Sequence, residues 1–308
     1  MAVYFLYMKT FGRAAGGSAV RASSYRSGER LRDERTGKTF DHVSREGVLH
    51  KEIVLPEKFA DSEMSWAQDR ATLWNAAEAA EPRKNARVAR EILVALPAEM
   101  SAEQRLGLVR GFAHELADRY GFAVDVAIHA PRTDPRNHHA HLLATTRELQ
   151  TEGFGAKTTL EINDTRRRER GLQPFFSEVA ALRERWSAAI NGALAAAHID
   201  ARVDHRSLAA QGIDREPQPH LPRAAVEIER RGERSFVAER LRAEHLARVQ
   251  ERAARVERAA TRSAAAAPQD LEEIRREARE RWLAMRAEAK AAATAAAHKP
   301  TPDDDLGR

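Results

Sequence analysis

The chain contains no cysteine, which excludes disulfides, thiolate metal sites and cysteine nucleophiles, and is compatible with a reducing compartment. Long apolar runs are missing too. The longest near the start, Ala2 to Met8, is far too short for a membrane span or a signal segment, so a soluble, cytoplasmic protein without membrane insertion is expected. Aromatics make up only 6% of 308 residues, and from Arg223 onward they are limited to Phe236 and Trp282 among Ala, Arg and Glu. That tract cannot build a compact core of its own and reads as extended helix. No glycine-rich phosphate loop occurs, which removes P-loop and dinucleotide-binding readings.

What is present is concentrated between Val124 and Thr145. Val124 to His129 and His139 to Thr145 read as two strands, joined by a connection that holds Pro131, Asp134, Pro135 and Asn137. Strand residues two apart share a face and lie roughly 6 to 7 Å apart, so His139 and His141 project together. His129 on the partner strand closes the triangle. The chain has twelve histidines, and one His on a half-buried strand is ordinarily a hydrogen-bonded core residue. Three that converge across a hairpin instead fit a metal site with coordination positions left open for water or a phosphate oxygen. Imidazoles alone favour Mn²⁺ or Zn²⁺, while phosphoryl chemistry often uses Mg²⁺.

The formal charge is +5 and the computed pI about 9.7, which is mild support for a polyanionic partner. Clusters carry more weight than the balance. Arg83, Arg87 and Arg90 form one, and Arg166, Arg167 and Arg168 open another that fits either a DNA groove or a solvated helix face. A phosphodiester held by such a metal would need a nucleophile, for which bound water, serine and tyrosine remain open. Tyr25 follows Ala22-Ser23-Ser24 and precedes Arg26, an unusually small and polar setting for an aromatic.

The remaining elements predict an α+β fold, an antiparallel sheet with flanking helices. Strands are expected over Ala2 to Thr10, Gly47 to Leu55 and Val88 to Leu96, with a turn at Arg35-Thr36-Gly37-Lys38. Helices are expected from the Ser18 cap to Ser27, from a Ser65/Gln68 capping box to Ala80, from a Ser101/Gln104 box to Tyr120, and over Val179 to Ala197. The stretch after Thr146 reads as loop. Asp204 to Ser207 and Gly212 to Pro217 read as irregular segments lying against the site. Pro222 marks the expected domain end. Residues 223–308 then form a helical extension, broken near Pro268, with a disordered polar end and no clean heptad.

Several stretches, in order, resemble the MobA/MobL family of conjugative relaxases within the superfamily marked by a histidine, hydrophobic residue, histidine pattern. They are Met8-Lys9-Thr10, Ser18 to Arg26, Arg35-Thr36-Gly37, Leu73 to Glu78, Ala89-Arg90-Glu91, Ala95 to Glu99, Asn137 to His141 and Asp204 to Ser207. Together they span residues 1–222. The resemblance implies a relaxase (Rep-type) domain there and a strand-specific DNA endonuclease acting at a plasmid origin of transfer. It implies Tyr25 as the nucleophile that becomes linked to a 5′ phosphate, and His129, His139 and His141 as ligands of a divalent metal, Mg²⁺, Mn²⁺ or Zn²⁺. His138 is expected on the opposite side of its strand. Glu91 matches a family acid, either orienting an imidazole or accepting a proton, with a salt bridge to Arg87 or Arg90 as the plainer alternative. Arg26, Arg83, Arg87, Arg90, Arg166, Arg167 and Arg168 are the expected DNA contacts. Partners would be single-stranded or supercoiled plasmid DNA, with accessory mobilization proteins and a coupling protein. A rolling-circle initiator or transposase, a metal hydrolase using bound water, and a noncatalytic DNA-binding protein are the alternatives. The order of tyrosine first and histidines later favours the relaxase.

Overall fold

The computed structural model describes residues 3–60, 63–131 and 134–297. In chain order the elements are β1 (Leu6–Gly12), α1 (Ala19–Ser27), β2 (Arg30–Arg32), β3 (Thr39–Asp41), β4 (Val48–Val54), α2 (Ser65–Gln68) and α3 (Arg70–Ala79). They continue with β5 (Arg87–Ala95), α4 (Ala102–Tyr120), β6 (Val124–His129), β7 (His139–Ala144), β8 (Arg147–Gln150), β9 (Gly153–Lys157), α5 (Asp164–Glu169) and α6 (Phe175–Ala196). The last two are α7 (Arg223–Arg230) and α8 (Phe236–Ala297). The fold is α+β, as the strand and helix patterning predicts. A five-stranded sheet in the order β1-β5-β7-β6-β4 is antiparallel at every pairing.

Alternation along these strands sorts the residues into two layers of packing. Ile92, Val94, Val124, Val126, Ile128, Ala140 and Leu142 face one way and bury against Phe112 and Leu116 of α4 and Trp186 and Ile190 of α6. Phe112 and Trp186 meet with ring centroids 4.8 Å apart. The opposite face carries Glu91, Asp125, His129, His139 and His141, in the same strands and out of phase by one residue. It is covered in part by α1 and α3, whose Val20, Leu73, Trp74 and Ala77 form the second core with Leu143.

Asp125 fixes these two helices to the sheet. Its buried carboxylate accepts from Ser23 Oγ of α1 (2.7 Å) and Trp74 Nε1 of α3 (2.9 Å), and from Arg70 Nε and Nη2 (3.0 and 2.9 Å). A buried charge with that many donors is stable, and losing any one donor leaves it underpaired. The helix α1 itself starts where Ser18 accepts from the Arg21 amide and stops at Gly28, whose φ of 66° is the left-handed region that glycine enters without strain. Ser101 and Gln104 form the reciprocal box expected at the start of α4.

Five local expectations are corrected. The first strand begins at Leu6 and runs on to Gly12. The helix expected from Ser65 to Ala80 is split, because Asp69 is extended and caps α3 by accepting from the Thr72 amide (2.8 Å), a stronger start than Ser65 provides. The loop expected after Thr146 contains the hairpin β8–β9, and short strands β2 and β3 flank the expected turn, where Gly37 takes φ of 68°. The C-terminal helix is not broken at Pro268: α8 is continuous for 62 residues, with the Ala264 to Ala267 run before the proline and Leu271-Glu272-Glu273 after it favouring helical backbone despite the lost donor. The break falls instead at Gly232, with φ of 81°, between α7 and α8.

The chain divides into two compact units, Met1–Arg206 and Ser207–Arg308, the division preceding the Pro222 boundary expected from sequence. The expected disordered end lies outside the described residues. Among the described residues no helix is long and apolar enough to cross a membrane.

Candidate metal centre and adjoining tyrosine

The hairpin of β6 and β7 places His129 directly opposite His139 and Ala127 opposite His141. All three imidazoles are on the α1 side of the sheet, and their candidate ligand atoms lie within 4.8 Å of one another. Ring centroids are 4.6 Å apart for His129 and His141, 5.4 Å for His139 and His141, and 5.5 Å for His129 and His139. Each ring has one nitrogen tied to an acceptor. His129 Nε2 donates to the Arg26 carbonyl (2.8 Å), His139 Nδ1 to the Asn137 carbonyl (2.9 Å), and His141 Nδ1 to Glu91 Oε1 (2.6 Å). The acceptors select the tautomer, leaving a lone pair on the other nitrogen of each ring, which is the form that binds a cation.

Electrostatics reinforce that state. Burial pushes the His129 pKa down to about 3, with the neighbouring His141, Arg45 and His139 adding to the shift against the opposing Arg26 carbonyl. Burial also lowers His141, outweighing the Glu91 carboxylate beside it. Both are therefore neutral near pH 7. The donor set thus fits a divalent ion on chemical grounds: three converging imidazoles, one of them oriented by a carboxylate. His138 is outside the cluster, as expected.

Glu91 is fully buried in β5 and has three cationic or donor partners: His141, Arg26 of α1, and Lys9 Nζ of β1 at 2.7 Å. Burial alone would raise its pKa, but hydrogen bonds from His141 and Arg26 hold its carboxyl well below the usual carboxylate range. It orients an imidazole and does not pair with Arg87 or Arg90. Those two bind Glu161 instead, Arg87 at 3.6 Å and Arg90 in a buried pair.

Tyr25 is half-buried near the end of α1, one residue before the carbonyl that accepts from His129. That hydrogen bond, with the Arg26–Glu91 pair, sets the end of α1 against the triad. The ring of Tyr25 meets His42 edge-on (5.3 Å between centroids) and carries the Arg45 guanidinium over its face at 3.8 Å. Arg45 Nη2 also reaches His129 Nδ1 at 3.4 Å. Sequence reasoning missed Arg45 and His42 because both sit in the loop between β3 and β4, without a local pattern to mark them.

The arginines expected on DNA separate into two groups. Arg26, Arg90 and Arg167 are buried, with relative exposures of 7%, 4% and 1%. Arg26 is paired with Glu91 and donates to the Ala22 carbonyl (2.6 Å); Arg167 donates to the Gln173 carbonyl (2.6 Å) and pairs with Glu178 (3.2 Å). Their charge is used inside the protein, which removes them from a solvent-facing phosphate track. Arg83, Arg87, Arg166 and Arg168 are exposed. A further basic surface was not singled out in the sequence: a cleft of about 430 Å³ at the start of α1, lined by Arg13, Arg21, Arg35, Lys38 and Lys84 together with Phe40. Asp204 and His205 do not reach the triad. The His205 ring lies edge-on to Tyr4, 6.5 Å away, and Val203 belongs to the core on the α4 and α6 face. Gly212 to Pro217 falls in the second unit.

Comparison with known proteins identifies the family. The profile of the MobA/MobL family matches residues 17–231. The chain is 40% identical over 277 residues to the mobilization protein MobL of Acidithiobacillus ferridurans, covering 81% of this chain and 71% of that protein. It is 32% identical over 274 residues to a probable conjugal transfer protein TraA of Sinorhizobium fredii, of which it spans 25%. A solved structure described as the molecular basis of vancomycin resistance transfer in Staphylococcus aureus superposes with a TM-score of 0.56 at 31% identity, covering 67% of this chain and all of that one. A mobilization protein is the class that the family match and relatives define. The chain belongs to the MobA/MobL family.

Proposed function

We propose that the protein cuts one strand of plasmid DNA at an origin of transfer by transesterification, with Tyr25 as nucleophile. The observation that carries this reading is the placement of Tyr25 beside the triad, through the Arg26 carbonyl on His129 Nε2 and the Arg45 guanidinium spanning Tyr25 and His129. A divalent ion held by His129, His139 and His141 would polarise a non-bridging phosphate oxygen. The Tyr25 oxygen attacks phosphorus in line, its proton passing to water. The bond to the 3′ oxygen breaks, and that oxygen leaves as a hydroxyl after taking a proton from water. The phosphotyrosine keeps the energy of the diester, so the 3′ hydroxyl can reverse the step and reseal the strand.

Glu91 acts on this chemistry by fixing the His141 tautomer rather than by touching DNA. Arg83, Arg87, Arg166 and Arg168, with the cleft at the start of α1, supply phosphate contacts. That cleft lies roughly 10 Å from Tyr25 along the helix, at 1.5 Å of rise per residue, a span of two nucleotides or so for an extended strand. Accessory mobilization proteins and a coupling protein are the proposed protein partners.

The test mixes purified protein, Mn²⁺ or Mg²⁺, and single strands from DNA neighbouring its own gene. A covalent protein–DNA product with a 5′ phosphate on Tyr25, seen by denaturing gel and mass spectrometry and lost in Tyr25→Phe, is the expected result. Cleavage without an adduct would establish hydrolysis by bound water, and binding without cleavage a noncatalytic DNA-binding role.

A further inference from the structure

Most guanidinium groups around the triad have a carboxylate. Arg26 has Glu91, Arg70 has Asp125 and Glu29, and Arg90 has Glu161. Arg45 is different. Among the described residues it makes no salt bridge. Its Nε is buried without a hydrogen-bond partner, one face lies on the Tyr25 ring at 3.8 Å, and Nη2 touches His129 Nδ1 only at 3.4 Å. The backbone amide of Arg45 donates to the His42 carbonyl (2.9 Å), which ties the start of the side chain to the loop. A buried guanidinium donor without a partner is costly, because it has lost its water without gaining an acceptor. Here that cost is held at a position between the attacking phenol and the metal ligands.

We propose that Arg45 is the anion clamp of the reaction, and that its guanidinium binds the non-bridging oxygens of the scissile phosphate as Tyr25 attacks. This rests on the transesterification reading above. A guanidinium presents a planar fork that matches two phosphate oxygens, and the aromatic face beneath it fixes the plane of that fork. Charge on those oxygens grows as the phenol oxygen bonds to phosphorus and before the 3′ oxygen has left, so a preoriented cation there stabilises the transition state more than the bound strand. Lysine would keep the charge but lose both the fork and the stack. The same side chain also keeps the Tyr25 ring beside the triad, so substrate contact and nucleophile placement share one residue.

The experiment uses the full chain and the strand at which the wild type forms its adduct. Arg45→Ala is expected to slow adduct formation by about 100-fold or more, the usual loss on removing one transition-state donor. Arg45→Lys should recover strand binding better than rate, and added guanidinium ion should restore part of the Arg45→Ala rate. Two readouts do not depend on turnover. With a chelator present, the wild type should prefer a strand with the native scissile phosphate over one carrying a neutral methylphosphonate there, and Arg45→Ala should lose that preference. Mn²⁺ alone should bind Arg45→Ala at least as tightly as the wild type, since a cation next to His129 is removed. Unchanged adduct rate and phosphate preference in Arg45→Ala overturn the clamp and leave the tyrosine reading intact. A fall in adduct rate that follows an equal fall in Mn²⁺ affinity overturns it also, in favour of a purely structural role. If the wild type forms no adduct on any strand tested, the underlying reading fails and the clamp with it.

Discussion

The two faces of the central sheet are built from the same strands and differ in almost every property. In β5, Ile92 and Val94 enter the core against α4 and α6, while Glu91 between its neighbours faces α1 and binds three side chains. In β7, Ala140 and Leu142 pack, while His139 and His141 converge on His129. A strand alternates by geometry, so a residue that stabilises the fold and one that serves the chemistry can be direct neighbours. The α4 and α6 face is apolar packing. The α1 and α3 face combines a second core with buried charged and imidazole groups.

Substitutions can break that contrast from either side. On the apolar face, Trp186→Ala removes a fully buried ring against Phe112 and should lower stability by about 3–5 kcal/mol. Denaturant melts would show it, while adduct formation per folded molecule at low temperature stays at the wild-type level. A comparable loss of metal affinity would mean that the faces are not independent. On the polar face, Glu91→Gln keeps the shape but leaves Arg26 buried without its counter-charge, for a loss of about 3 kcal/mol. It should also weaken metal binding by about 10- to 100-fold, since His141 loses the carboxylate that sets its tautomer. Calorimetric Mn²⁺ titration measures the second effect separately from the first.

Acid should produce a graded loss of similar size. His129 binds its proton near pH 3 when folded and near 6.5 when unfolded, so between those values the unfolded chain holds more protons and stability rises with pH. The contribution is complete above about pH 6.5 and is lost as pH falls toward 3, at up to about 1.4 kcal/mol per pH unit for this one group. Urea melts of chelator-treated protein from pH 7 to 4 should show a steeper fall for the wild type than for His129→Asn. Equal slopes would place the acid sensitivity elsewhere. The smallest change is expected from Lys38→Ala combined with Lys84→Ala at the basic cleft. Loss of two phosphate contacts should flatten the log-affinity against log-salt slope by about 1 to 2 on a single strand, with sequence preference kept. No change in slope would take the DNA path away from this cleft.

The histidine hairpin was legible because its signal is local: two short strands, a punctuated connection and a two-residue spacing. The Ser101/Gln104 box was legible for the same reason, and the ordered stretches from Met8 to Ser207 pointed to the family. What escaped the sequence depends on partners far away along the chain. Arg45 meets His129, and Asp125 gathers Ser23, Arg70 and Trp74 from two helices, contacts that no spacing rule encodes. The same limit made Arg26, Arg90 and Arg167 look like surface cations, since a basic residue shows its burial only through the carboxylate or carbonyl that meets it. Pro268 misled in the opposite sense, a strong local breaker outvoted by the helix formers on either side of it, while Asp69 interrupted a helix that periodicity had joined.

Arg26 holds both sides of the site at once, its carbonyl on His129 and its guanidinium on Glu91, which in turn orients His141. The end of α1 therefore cannot loosen without unmaking the ligand set. On heating, the proposed DNA joining is expected to vanish together with the packing of α1 on the sheet.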